Sequence, residues 1–218
     1  VGIASDLNID NSLINRSNLM TQVKFASPVA YQRKATLDSS MFYMGNLQSF
    51  LAKGEDTGGR FALMEAQAKP GNEPPPHVHE WEHEMYYVLE GAIEFYVEDK
   101  ILLARAGEVV FLPQGKPHAF YIRSSHVRVL ILVQASGEHP VGLDRYFISM
   151  AEPATSMSLP IGAVTYAMDD PGHSIRVGAE NGIHILSPEE TAKELPHYPG
   201  FGVKRESIEE EQLSLSTV

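Results

Sequence analysis

From Met41 to Gln134 the chain is a series of short runs rich in Val, Ile, Leu, Phe and Tyr, each cut off by Gly, Pro or acidic turn formers. This punctuation constrains the fold more than any other feature. Runs of this length are short for buried helices, and aromatic and β-branched residues bounded by turn formers mark strands. The pattern predicts eight strands: Phe42–Leu51, Arg60–Ala68, Glu84–Leu89, Ala92–Glu98, Lys100–Ala104, Glu108–Leu112, His118–Ile122 and Val127–Gln134. Glu90-Gly91 and Glu98-Asp99-Lys100 read as tight turns, so neighbouring strands form hairpins and the sheet is antiparallel. An all-β jelly-roll barrel accommodates such strands.

On either side of these runs the pattern lapses. Residues 1–40 show weak periodicity and many turn formers, and are expected to form an N-terminal arm with one short strand over Gln22–Ala26, of a kind that docks on a partner subunit. Residues 41–140 are expected to form the barrel, and residues 141–218 a short helical and irregular C-terminal extension. There Leu143–Phe147 opens a helix, and Pro153, Pro160 and Pro171 break the chain beyond it into short pieces. Ser187-Pro188-Glu189-Glu190 is a helix start, with Ser as N-cap and an acidic first turn. One principal domain suits 218 residues. No internal repeat of useful length points to a second barrel.

With 43% hydrophobic and 21% charged residues the chain has enough apolar material to fold. A net charge of −11 gives no basis for binding nucleic acid or an anionic membrane. No apolar run approaches the ~18 residues that a bilayer requires. The expected partner is therefore a small molecule or a second copy of the chain. Because there is no cysteine, any metal has to be held by histidine and carboxylate. The polar stretch Val1–Phe25 has no signal-peptide profile, so a cytoplasmic location is expected; the Asn15-Arg16-Ser17 sequon counts only in a secreted protein. Met20 reads as an alternative start, with residues 1–19 then an appendage.

The chemistry concentrates in two stretches. In Pro76-His77-Val78-His79 the two histidines are two residues apart, so in an extended chain both imidazoles point to one face. A short loop then folds Glu84 back as the first residue of the next strand, adding an oxygen ligand to two nitrogens. In the second stretch, Gly107 to His118, Gly and Pro build turns at both ends of one strand, and His118 starts the next with its side chain inward. Together His77, His79, Glu84 and His118 make one octahedral transition-metal site with positions left open. On the parity of His118, Phe120 and Ile122 are expected to line an apolar substrate pocket beside it.

Other residues fit blander roles. His83 neighbours Glu84, and adjacent strand residues face opposite ways, so His83 is expected at the surface or behind the ligands. His126, His139, His173, His184 and His197 lack ligand spacing and read as exposed or capping residues. Trp81 and Glu82 fall in the loop between ligands, where they read as gating the pocket mouth, with packing on a neighbouring subunit an equal alternative for Trp81. Tyr86, Tyr87, Phe95 and Tyr96 read as core or interface.

These two stretches resemble the cupin family. The first matches its Gly, five residues, His-x-His, four residues, Glu, six residues, Gly pattern at Gly71, His77, His79, Glu84 and Gly91. The second matches Gly, five residues, Pro-x-Gly, two residues, His at Gly107, Pro113, Gly115 and His118, and departs from the usual closing Asn at Ile122. Gly58–Leu63, Arg145–Phe147 and Asn181–Pro188 look like single-barrel proteins related to quercetin 2,3-dioxygenase. The resemblance implies one divalent ion (Fe, Mn, Ni, Co, Cu or Zn) and a homodimer. It also implies a metal-dependent dioxygenase that uses O2 on a flavonol or another enolisable aromatic or polyketide compound. In such enzymes the metal-bound glutamate also takes the substrate's proton, which would make Glu84 both ligand and catalytic base; burial in the apolar pocket is expected to raise its pKa for that task. Two other functions share the same site: redox-neutral isomerisation, cyclisation or decarboxylation, and small-molecule binding without turnover.

Overall fold

The computed structural model describes residues 25–161 and 170–208. Among these, twelve strands form two antiparallel sheets, with three helices after the last long strand. In chain order the strands are β1 (Ser40–Tyr43), β2 (Asn46–Ala52), β3 (Phe61–Ala68), β4 (His77–His79), β5 (Glu82–Glu90), β6 (Ala92–Val97), β7 (Lys100–Arg105), β8 (Val109–Leu112), β9 (His118–Ile122), β10 (Val127–Ala135), β11 (Glu152–Pro153) and β12 (Ile183–Ile185). The helices are α1 (Leu143–Met150), α2 (Pro171–Glu180) and α3 (Pro188–Glu194). One sheet runs β11-β1-β2-β3-β10-β5-β8 and the other β12-β4-β9-β6-β7. Their inner faces close into the jelly roll.

Alternation builds the core. In β5 the residues Glu82, Glu84, Tyr86 and Val88 point inward, and in β10 Val127, Val129, Ile131 and Val133 do the same. By contrast β9 is buried on both faces, because the C-terminal segment covers its outside. Tyr198 packs on Tyr96 and Tyr121, the Tyr121 hydroxyl donates to Gly200 O, and the Ile208 amide donates to Arg123 O at 2.8 Å. A strand covered on both sides reads as an unbroken apolar run.

Several expectations change. The predicted strand Phe42–Leu51 is a hairpin: Met44 and Gly45 both take positive φ, 50° and 75°, and turn β1 back along β2. Glu84 is not the first residue of its strand, since β5 starts at Glu82. The C-terminal part supplies the expected helices, with Ser187 capping α3 through Glu190 N at 3.2 Å. It also returns to both sheets, as β11 beside β1 and β12 beside β4. The strand expected over Gln22–Ala26 falls mostly outside the described residues, and Phe25 and Ala26 are in no strand. The next residues lie on the chain's own barrel, with the Tyr31 hydroxyl donating to Leu51 O at 3.1 Å and Arg33 paired to Asp56 at 2.7 Å. No helix among the described residues is long and apolar enough to cross a membrane.

Candidate metal centre

Strand pairing brings the three histidines together. β4 lies between β12 and β9, with His77 directly opposite His118. Opposed residues of antiparallel strands share a face, and here the two Nε2 atoms lie 3.1 Å apart. His79, two residues along β4, presents its imidazole on the same side. Glu84 reaches in from β5 of the other sheet, its Oε2 3.3 Å from His118 Nε2 and 3.5 Å from His79 Nε2. One donor atom from each of the four residues lies within 4.8 Å of the others, and all four residues are buried.

The surrounding hydrogen bonds fix which nitrogens are free. His77 Nδ1 meets Pro75 O at 2.9 Å and His118 Nδ1 meets Lys116 O at 3.0 Å. A carbonyl oxygen only accepts, so both Nδ1 atoms carry hydrogen and a neutral ring presents a lone pair at Nε2. His79 Nδ1 is bound in the same sense to Glu82 Oε1 at 2.8 Å. Three Nε2 atoms and a carboxylate therefore converge on one point, while His79 Nε2 and Glu84 Oε2 have no hydrogen-bond partner among the described residues. Orphaned buried polar atoms are costly. Donors sharing an ion with bonds of ~2.0–2.2 Å stand roughly 3 Å apart when adjacent, which suits the separations here. The residues fit a divalent ion.

Electrostatics agree with this arrangement. Burial, with His118 and His79 alongside, drives His77 well below the usual histidine range, so its ring stays neutral. For His79 burial also works against charge, but the carboxylates of Glu84 and Glu82 outweigh it and raise its pKa. The positive charge that these carboxylates favour is one that an ion can supply. Glu84 departs from expectation: burial alone would raise its pKa, but His79, His118 and His77 outweigh burial and hold it at about 2. It is ionised at neutral pH.

Glu82 is the site residue that sequence reasoning missed. It is a fully buried member of β5 and does not lie in a gating loop. Besides His79, it accepts from the amides of Gly142 at 2.7 Å and Leu143 at 3.1 Å, at the start of α1. The available signal was its parity with Glu84. Trp81 does not line the cavity: it stacks on His139 at 4.5 Å and packs on Gly182, where an added Cβ would stand 2.3 Å from the indole. His83 faces away from the cluster, accepting from Gln114 N at 2.9 Å beside Phe111.

The cluster opens on a largely apolar cavity. His77 and Glu84 form part of its wall, with an apolar body that includes Ile93, Phe120, Val129, Ile131 and Phe147. Phe120 takes the expected place, whereas Ile122 is buried in the core and is not part of the wall. Tyr86, read as core, lines the cavity next to Glu84; burial, and then the Glu84 charge, push its phenol far above the usual range.

Residues 64–133 match the family described as cupin domain. A quercetin 2,3-dioxygenase of Bacillus subtilis (strain 168) is 26% identical over 156 residues, an alignment covering 55% of this chain and 46% of that protein. The chain thus spans about half the length of this curated relative. Among solved structures, a predicted oxalate decarboxylase of Thermotoga maritima is 24% identical with a TM-score of 0.40, covering 42% of this chain and 81% of that one. Streptomyces PAC13 with uridine is 16% identical with a TM-score of 0.40, covering 50% and 86%.

Proposed function

Because the chain carries a cupin domain whose inner face gathers three histidines and a glutamate, we propose that it is a metal-dependent dioxygenase of the quercetinase-like kind, acting with O2 on a flavonol or another enolisable aromatic or polyketide compound. The observation that carries this reading is the convergence of His77, His79, His118 and Glu84, two of their donor atoms unpartnered, at the wall of an apolar cavity. The relative named quercetin 2,3-dioxygenase supports the oxidative branch over redox-neutral chemistry.

In this proposal the four side chains hold one divalent ion. Bound there, the ion would supply Lewis acidity and a place where substrate oxygen and O2 meet. The protein's own part is to position, exclude and accept. Phe120, Ile93 and Ile131 receive the flat body of the substrate and keep water from it. Glu84, already ionised, accepts the proton of the enol hydroxyl at Oε2. Tyr86 stays a neutral phenol beside that carboxylate. A homodimer remains part of the proposal; the exposed edge strand β8, with Val109 and Phe111 outward, supports it, and sedimentation tests it.

The deciding experiment is anaerobic reconstitution with each candidate metal, followed by oxygen uptake over a panel of flavonols and related enols, alongside Glu84→Gln. Uptake that Glu84→Gln abolishes is the expected result. Absence of uptake with every metal and substrate overturns the dioxygenase reading. Full metal occupancy in His118→Ala overturns the ligand set.

A further inference from the structure

The cavity also contains polar groups that the metal cluster does not use. Asn46 and Gln48 stand two residues apart on β2 and point to the same, inward face. Asn72 joins them from the loop before β4. All three are more than nine-tenths buried, at 6%, 5% and 8% exposure. The orientation of Asn46 is set, since its Nδ2 donates to Asn72 O at 2.8 Å and its Oδ1 is left as an acceptor without a partner. Among the described residues, Gln48 Oε1 and Asn72 Nδ2 have no partner either. The hairpin turn admits Asn72 because residue 45 is glycine: a Cβ there would stand 2.6 Å from Asn72 Nδ2.

Unpartnered buried amides oppose folding. Apolar residues of the same shape would serve the barrel better, so this cluster is suited to something that enters the cavity. Strand register gives its separation from the metal cluster. Glu84 pairs with Val133, which pairs with Ala62, whereas Gln48 pairs with Ala66 on the same strand. The step from Ala62 to Ala66 is on the order of 13 Å along β3, and Asn46 lies a further ~7 Å along β2. The wall between is apolar. Among the described residues no lysine or arginine lines the cavity, and its carboxylate is Glu84, so a charged group at the amide end would be buried without a counterion. Two acceptors and one donor match neutral hydroxyl groups, which both donate and accept.

We propose that Asn46, Gln48 and Asn72 form a second recognition point, hydrogen-bonding an uncharged, hydroxyl-bearing end of the substrate while its enol end lies at His77, His79, Glu84 and His118. The substrate class is then an elongated enol with free hydroxyls at the end remote from the enol. This inference rests on the enol reading of the metal end.

The test uses the protein loaded with zinc, a redox-inert ion, under anaerobic conditions, and reads binding by calorimetry. Two probes share the enol: 3-hydroxyflavone, without further hydroxyls, and quercetin, with them. The wild type is expected to bind quercetin at least ten times more tightly. Gln48→Met should cut that preference severalfold while leaving 3-hydroxyflavone affinity, zinc content and Tm unchanged, or with Tm raised; Gln48→Leu should cut the preference too. If 3-hydroxyflavone binds but the wild type shows no preference, or both variants keep the preference, the amide proposal falls and the enol reading stands. A large fall in Tm for Gln48→Met would mark the amide as structural and also overturn the proposal. If neither probe binds the zinc-loaded wild type, the enol reading falls and takes this one with it.

Discussion

Glu82 Oε1 lies 2.8 Å from His79 Nδ1, and the same carboxylate accepts the Gly142 and Leu143 amides. One buried acid thus orients a candidate ligand and anchors the start of α1. Partners of this kind fix the tautomer and raise the basicity of a ligating imidazole.

Glu82→Gln keeps the size of the side chain but loses the charge behind His79. Metal affinity, measured by competition with a chelator, is expected to fall about 10- to 100-fold. Glu82→Ala should in addition lose ~1–3 kcal/mol of stability for each backbone amide left unpaired, read by urea unfolding of the metal-free protein.

Removing the metal should lower Tm, because an ion that binds only the folded chain stabilises it by RT ln(1 + [M]/Kd), about 4 kcal/mol at a thousandfold excess over Kd. The effect should depend on pH. Glu84 and Glu82 raise the pKa of His79 above the ordinary 6.5, so protons compete for its Nε2 already above that pH. Affinity should fall as pH drops through this region, and calorimetry in buffers of different ionisation enthalpy should detect proton release on binding.

In the metal-free protein Glu84 has a different signature. Its folded pKa of about 2 lies below the ordinary 4.5, so it contributes stability that is complete above 4.5 and is lost as pH falls from there toward 2. Unfolding free energies over that range should decline, and Glu84→Gln should flatten this part of the profile. An unchanged slope in the variant would contradict the assigned pKa.

Gly182→Ala should loosen β12 from β4. Residue 182 has φ 72°, and the new Cβ would meet the Trp81 ring. A loss of roughly 1–3 kcal/mol is expected from strain and displaced packing. Trp81 is the sole tryptophan, so its fluorescence reports the displacement directly, and weaker metal binding should accompany it if β12 braces His77 and His79.

Local periodicity carried most of the fold and all four clustered residues. Alternation along β5, β9 and β10 is a period-two signal written within a few residues, and the spacing of His77, His79, Glu84 and His118 across two turns was enough to aim them at one another. Where a turn was signalled weakly, at Met44-Gly45, two strands merged into one in the sequence pattern. Pairing across the sheets is not local. Only the tertiary structure placed β12 against β4, moved Ile122 out of the cavity wall and gathered Asn46, Gln48 and Asn72 in it. It also reversed the expected shift of Glu84: burial, which composition can suggest, raises a carboxylate's pKa, but three histidines held within a few ångströms lower it by more. Glu82 shows the same division. Its parity with Glu84 was legible, yet its role depends on His79 and Gly142, one in another strand and the other 60 residues along the chain.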